Sequence, residues 1–95
     1  FDLDPNHSVV ELELPHAFVG KTVVEVDMRK NHNLNIVTVI RKRLKRNLLG
    51  INKVAYVAEG VVKPDTRFEE GDILVVFGAN TDIQNLCKHQ GSKWS

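Results

Sequence analysis

The sequence predicts an α+β domain built on a mostly antiparallel sheet. Three observations support this fold class: an alternating segment near the start, β-branched and apolar segments of strand character further on, and one amphipathic helix near the end. Strands that are followed by a helix, without regular alternation of the two, are typical of α+β proteins. The 95 residues are enough for one domain with a modest core.

The first strand is predicted at VVELELP, residues 9–15. Apolar and acidic side chains alternate there, and Pro15 ends the pattern. The preceding segment FDLDPNHS, residues 1–8, is polar and lacks periodicity, so it is interpreted as a linker. It also has no apolar core of the kind found in signal peptides.

The next segment, residues 16–30, is ambiguous. Between residues 23 and 28 apolar and acidic side chains alternate, which slightly favours a strand. The i, i+3 spacing of Val23 and Val26, with the basic end at Arg29 and Lys30, favours a short helix instead.

Three further strands are predicted at NIVTVIR, KVAYVA and ILVVFG, the last of them central because it is wholly apolar. The first two form a hairpin with a long, basic connection from Arg41 to Lys53. This connection contains six basic residues and no acidic one: Arg41, Lys42, Arg43, Lys45, Arg46 and Lys53. It is interpreted as a solvated hairpin, or as a contact for the acidic surface of a membrane partner or for anionic lipid.

A helix is predicted at ANTDIQNLCKHQG. Thr81 and Gln84 have the spacing of a capping box, and Gly91 ends the helix. Its buried face is expected to consist of Ile83, Leu86 and Cys87. The last residues, 91–95, are expected to be a frayed tail.

Composition excludes several classes of function. The net charge of +1 gives no overall argument for nucleic-acid binding, and one cysteine excludes an internal disulfide. The four histidines are scattered, so no metal site is expected. Phosphate-binding glycine motifs and nucleophile motifs are absent from the sequence, and we therefore expect no enzymatic activity.

Four short motifs occur in a fixed order over most of the chain. They are GKTV at 20–23, DMR at 27–29, NIV at 35–37, and a segment from Pro64 to Gly78 that contains Phe68, Gly71, Asp72 and the apolar ILVV. In this combination the chain resembles the TrkA-C domain, also called RCK-C. This domain is the regulatory module of bacterial potassium channels and transporters, and the chain is most similar to its Ktr-type form.

The resemblance implies several properties of the molecule. It implies a TrkA-C regulatory domain at residues 9–90, a helix over 21–30 that makes two short helices in all, and a homodimer. Residues 1–8 would join the domain to an upstream RCK-N domain, a Rossmann fold that binds a nucleotide. The complete protein would be a cytoplasmic gating subunit, held at the inner face of the cell membrane by a potassium channel or transporter.

The resemblance also implies a ligand. In the Ktr branch this module is similar to a receptor for cyclic di-AMP, which lies between two copies. Val23, Met28 and Leu34 would then form the apolar surface under the adenines. Arg29 would contact phosphate and Asn35 would make a polar contact to the nucleotide. No metal is expected in the domain.

Other interpretations of these residues remain open at this point. Arg29 can instead stabilise a helix end, and Asn35 can satisfy backbone groups at a strand start. Val23 and Leu34 can be ordinary core residues, and Met28 can fill a gap among apolar neighbours. The polar residues between them are interpreted as solvated turn residues: Asn31, His32 and Asn33. For the domain as a whole, the alternatives are a structural dimerisation module without a ligand and a regulatory domain of a cation/proton antiporter.

Overall fold

A computed structural model gives the architecture of the chain and describes residues 1–50 and 52–91, with the backbone alone for Lys45. Within these residues, four strands form one sheet: β1 (His7–Glu13), β2 (Asn35–Arg46), β3 (Asn52–Ala58) and β4 (Ile73–Ala79). The described helices are a short 3-10 turn (His16–Phe18), α1 (Val23–Val26), α2 (Met28–His32) and α3 (Asn80–Gln90). The prediction of an α+β fold is confirmed.

The sheet has the strand order β1–β4–β2–β3, and every neighbouring pair is antiparallel. β4 is one of the two inner strands, as its apolar sequence predicted, and it pairs with both β1 and β2. A register shift between Ile36 and Thr38 marks a bulge in β2 at Val37.

The core lies on one face of the sheet. The alternating pattern of β1 and β4 turns Val10, Leu12, Leu74 and Val76 to that face, where each is at least 95% buried. The helices and the loop before β4 cover this face with further buried side chains: Phe18, Val26, Met28, Leu34, Phe68, Ile83 and Leu86. The sheet therefore provides a rigid base, and α1 and α2 lie on top of it.

Residues 23–26 and 28–32 are helical, so the slight preference of the alternating pattern for a strand is wrong. The segment forms two helices rather than one, because Asp27 takes a left-handed conformation with φ 47° and ψ 64°. Local capping overrides the alternation. Thr22 and Glu25 form a capping box at the start of α1, with Thr22 Oγ1 accepting from the Glu25 N–H.

The predicted long connection between β2 and β3 is also wrong. β2 continues through the basic residues to Arg46, and β3 pairs with it from Arg46↔Asn52 back to Ile40↔Ala58. Cross-strand pairing explains the extension, because Lys42 lies opposite Tyr56 and packs over its ring at 6.0 Å. The connection is therefore a short turn at the end of a long hairpin.

The start of α3 differs from its prediction as well. The helix begins at Asn80 after Ala79, and no side chain caps it, so the predicted capping box of Thr81 and Gln84 is not formed. Asn80 instead accepts a hydrogen bond from Ser8 Oγ at 2.6 Å, which fixes the helix start against β1. The end at Gly91 is confirmed, with φ 69°.

The two ends of the chain complete the description. Residues 1–6 fold back along β1, and the Val9 N–H donates to the Phe1 carbonyl at 2.9 Å. The part of the predicted tail that follows Gly91 lies outside the described residues. In the part of the chain that the structure describes, every helix is too short or too polar to cross a membrane.

Candidate functional site: an apolar groove beside Arg29 and Asn35

The capping box holds α1 in place against the loop before β4. Glu25 Oε1 accepts from the Thr22 N–H at 3.0 Å. The hydrogen bonds from the Thr22 backbone and side chain lower the pKa of the Glu25 carboxyl, and nearby cations lower it to a smaller extent. On the loop side, the Val24 N–H donates to the Pro64 carbonyl at 3.0 Å. The first turn of α1 thus stands next to Pro64.

Asp27 turns the chain between α1 and α2. Its left-handed backbone ends α1, and its carboxylate accepts from the Lys30 N–H at the start of α2. As a result Met28 points into the core with 3% exposure, whereas Arg29 is exposed.

The polar residues at the end of α2 have structural roles. Asn31 Nδ2 donates to the Val26 carbonyl at 2.9 Å, and Asn33 Nδ2 donates to Asp82 at 3.1 Å. Asn33 also ends α2 in a left-handed conformation, with φ 56°. His32 is half-buried beside the Phe18 ring, at 5.8 Å between centroids. The prediction of solvated turn residues is thus confirmed for the exposure of Asn31 and Asn33, whereas His32 is half-buried, and both Asn31 and His32 lie in α2 rather than in a turn.

A groove of about 350 Å³ opens between these helices, the start of β2 and the loop before β4. Its lining is mostly apolar: Val23, Val24, Asp27, Met28, Arg29, Leu34, Ile36, Val62 and Pro64. Met28 and Leu34 form a buried floor, with 3% and 1% of their surface exposed. Val24 is 64% exposed and forms an accessible apolar part of the wall.

Gly78 on β4 keeps the groove floor in position. A Cβ atom at this residue would stand 2.3 Å from Leu34 Cδ2 and 3.4 Å from the Asn33 carbonyl oxygen. Only glycine therefore leaves room for Leu34 as it lies. This contact explains in physical terms the glycine that ends the last of the sequence motifs.

The polar component of the site is a hydrogen bond between Arg29 and Asn35. Arg29 Nε donates to Asn35 Oδ1 at 2.7 Å, and both side chains are exposed. Among the described residues, no ion pair involves the Arg29 guanidinium. Its terminal nitrogens can donate to a phosphate group while Nε holds the orientation.

Four of the five predicted site residues line the same groove: Val23, Met28, Arg29 and Leu34. Asn35 contacts the groove residue Arg29 and lines an adjoining hollow with Arg29, Asn33 and Leu34. Arg29 also lies in the last turn of α2, where a cation is favourable, so its alternative role at a helix end is compatible with this position. Asn35 Oδ1 accepts from Arg29 Nε.

Sequence reasoning missed five lining residues: Val24, Asp27, Ile36, Val62 and Pro64. Pro64 and Ile36 belong to the motifs, and the helical position of Val24 next to Val23 was a second available signal. The contribution of Val62 depends on how the loop before β4 docks on α1, which no local pattern indicates.

The described residues offer no alternative metal chemistry. Within 1–50 and 52–91, no group of three or more histidine, cysteine, aspartate or glutamate side chains could hold an ion. Cys87 is half-buried against the core, and burial raises the pKa of its thiol.

Comparison with known proteins identifies the family. The family model of the TrkA-C domain matches residues 8–91. The chain is also 31% identical over 87 residues to the Ktr system potassium uptake protein C of Bacillus subtilis (strain 168). The aligned region covers 92% of this chain and 34% of that relative, so the chain spans about a third of the relative's length. By this match over nearly all of its residues, the chain belongs to the TrkA-C domain family.

Proposed function

We propose that this chain is a non-enzymatic regulatory domain of a potassium uptake system, and that two copies bind one cyclic di-AMP between them. Family membership and the potassium uptake protein among its relatives support the regulatory role. The ligand and the dimer are inferred from the chemistry of the groove.

The observation that carries the proposal is the Arg29–Asn35 pair at the rim of the apolar groove. A guanidinium that is held through Nε at 2.7 Å and forms no ion pair among the described residues suits a phosphate group. The Asn35 amide keeps its Nδ2 donor, which can bond to a ribose or base acceptor. Phosphate and apolar contacts within one site match a nucleotide.

Two-fold symmetry extends this argument to a cyclic dinucleotide. An isologous dimer presents each residue twice across its axis, so two Arg29 side chains meet two phosphates. The two grooves then meet the two adenines. A single phosphate would leave one of the two guanidinium groups without its partner.

The apolar contact is proposed to fall mainly on the groove wall. Met28 and Leu34 are almost completely buried and offer little surface to a base. Val24, together with the lining residues Val23 and Pro64, is more accessible to an adenine ring. Met28 and Leu34 are then the floor that sets the depth of the groove.

Gating follows from differential affinity. A ligand at the axis stabilises the arrangement of the two copies that it fits best, which biases a coupled channel or transporter. Such couplings are usually about 1–3 kcal/mol. In this proposal the domain works in the cytoplasm, beside its membrane partner and downstream of an RCK-N domain.

Calorimetric titration of the purified dimer with cyclic di-AMP tests the proposal. We expect binding that is abolished in Arg29→Ala and strongly weakened in Arg29→Lys, because lysine cannot reproduce the paired donors of a guanidinium. Lys30→Ala is the matched control, since Lys30 is the next residue of α2, is also exposed, and does not line the groove.

The result that overturns the proposal is a confirmed dimer that takes up no cyclic di-AMP at tens of micromolar. The chain would then be a structural dimerisation module. Dissociation of the dimer in Arg29→Ala, without any ligand effect, supports the same alternative. If Arg29→Ala and Lys30→Ala lost equal affinity for cyclic di-AMP, Arg29 would contribute only general electrostatic attraction.

A further inference from the structure

The outer part of the β2–β3 hairpin projects from the sheet as a two-stranded arm, residues 41–58. Pairing between β2 and β4 ends at Ile40↔Ile73, whereas pairing between β2 and β3 continues to Arg46↔Asn52. Residues 41–46 extend over about 20 Å at the rise of a β-strand. The molecule measures 47 × 28 × 24 Å, an elongation that an arm of this length explains.

Apolar side chains occupy the tip of the arm. Leu48 and Leu49, in the turn after β2, are 107% and 82% exposed. Leu44, Val54 and Tyr56 are more than half exposed, and the strand register places all three on one face of the hairpin. Scattered single apolar residues are ordinary on a surface, but three apolar side chains on one face, with two exposed leucines at the tip, indicate a contact.

The charge on the arm is of one sign. Residues 41–58 contain six basic side chains and no acidic one. At the base, Arg41 pairs with Glu69 at 2.7 Å and Arg43 pairs with Glu59 at 2.9 Å. Nearer the tip, Arg46 and Lys53 take part in none of the ion pairs among the described residues. Uncompensated positive charge is therefore concentrated next to the exposed leucines.

This combination distinguishes a bilayer surface from a protein partner. Protein interfaces are enriched in arginine and tyrosine but depleted of lysine, whereas the arm carries three lysines, at 42, 45 and 53. Elements that lie in a membrane interface combine apolar side chains with lysine and arginine, and often carry an aromatic residue at headgroup level. Leu48 and Leu49 provide the apolar part, Arg46 and Lys53 the cations, and Tyr56 the aromatic ring.

We propose that the arm binds the surface of an anionic lipid bilayer. Leu48 and Leu49 enter the interfacial layer, while Arg46 and Lys53 contact headgroup phosphates. The proposal does not depend on the nucleotide site, because no residue of the arm lines the groove. It would give the domain a fixed orientation to the membrane whether or not a ligand is bound.

Co-sedimentation with lipid vesicles tests the proposal. The chain should bind vesicles of equal parts phosphatidylglycerol and phosphatidylcholine, bind less in high salt, and not bind phosphatidylcholine alone. Removing both cations in Arg46→Gln/Lys53→Gln should weaken binding about 25-fold, at about fivefold for each charge. Leu48→Ser/Leu49→Ser should weaken it at least about tenfold.

Val61→Ser and Lys63→Gln are the matched controls, because both residues are exposed, lie outside the arm and do not line the groove. Their vesicle binding should equal that of the unchanged chain. Absence of binding to phosphatidylglycerol vesicles overturns the proposal, and so does equal binding by the arm variants. A change of oligomeric state in the arm variants, with unchanged vesicle binding, would instead assign the arm to a contact between copies of this chain.

Discussion

At the scale of single residues, Asp72 joins the sheet to the loop before β4. It is 97% buried, and its carboxylate accepts from the Glu69 N–H at 2.9 Å and from Arg41 Nε at 3.2 Å. Arg41 in turn donates to the Arg67 carbonyl, so one buried ion pair fixes two segments of loop. The motif GD at 71–72 is thus explained by stability rather than by ligand binding.

We predict that Asp72→Ala lowers the free energy of unfolding by about 3 kcal/mol, because it leaves the guanidinium of Arg41 buried with a weaker set of acceptors. Urea unfolding measures the effect. Asp65→Ala is the control, since Asp65 is exposed, and it should change stability by less than about 0.5 kcal/mol. If Asp72→Ala lowered the free energy of unfolding no more than Asp65→Ala, a structural role of Asp72 would be contradicted.

His32 is predicted to make the stability depend on pH. Burial, and to a smaller extent the charge of His89, lower the pKa of His32 in the folded chain. The unfolded chain then binds the proton more readily, so stability falls as pH drops through the usual histidine value of about 6.5. The loss is complete once the pH is below the folded pKa. Thermal unfolding between neutral and mildly acidic pH should show a smaller decrease in His32→Gln.

His16→Gln provides the comparison for His32, because the His16 side chain is 91% exposed. Its pH dependence should retain the decrease that His32→Gln loses. If both variants show the same pH dependence of stability as the unchanged chain, the proton that lowers stability binds to another residue.

At the scale of elements, helix capping determines the structure of α1, whereas the alternation of apolar and acidic residues there predicted a strand. α1 has four residues, too few to be stable alone, and its start depends on the box formed by Thr22 and Glu25. The sequence TVVE contained this signal, but the alternation of valine with acidic residues obscured it. At Thr81 the sequence predicted a capping box that does not form, because tertiary hydrogen bonds of Asn80 determine where α3 starts.

This contrast gives a paired prediction. Thr22→Ala should destabilise the domain by about 1 kcal/mol and weaken cyclic di-AMP binding, since α1 carries the groove wall. Thr81→Ala should change stability by less than about 0.5 kcal/mol, because Thr81 caps nothing. Both are measured by thermal unfolding and calorimetric titration. Equal costs for the two variants would mean that the box at α1 contributes nothing specific.

Much of the sheet could be predicted from the sequence because the patterns that identify its strands are local. Periodicity two identified β1, and β-branched or apolar runs identified β4 and the first part of β2. The extent of β2 was not accessible, since its basic half is stabilised only by the facing residues of β3. The family resemblance predicted that Val23, Met28, Arg29 and Leu34 share one site, and all four line the groove, but Val62 lines it only because the loop before β4 docks there.

At the scale of the whole molecule, the two proposed contacts, of the groove with a nucleotide and of the arm with lipid, lie in different regions. The groove residues lie on or beside the two helices and the loop, all of which rest on the sheet. The arm extends past the last β2–β4 pair, and apart from its base, where Arg41 pairs with the buried Asp72, its exposed side chains stand away from the core. A domain with this layout can bind a ligand in one region and hold its orientation with another, so substitutions in the two regions should act independently.

The symmetry of the proposed site makes a prediction for the assembly that no single chain reveals. If two copies share one cyclic di-AMP, calorimetric titration should saturate at about one ligand for two chains. Because the ligand binds the dimer only, it should also lower the dimer's dissociation constant by the linkage between the two equilibria. Ligand at about 100 times its dissociation constant should stabilise the folded dimer by about 2.7 kcal/mol.

Sedimentation at several chain concentrations, with and without the nucleotide, measures the dimer, and Arg29→Ala should dimerise alike in both conditions. Saturation at one ligand for each chain, with no change in dimer stability, would place a complete site within one copy. In that case the open Arg29 guanidinium would act on a phosphate alone, and gating could not arise from a ligand at the axis.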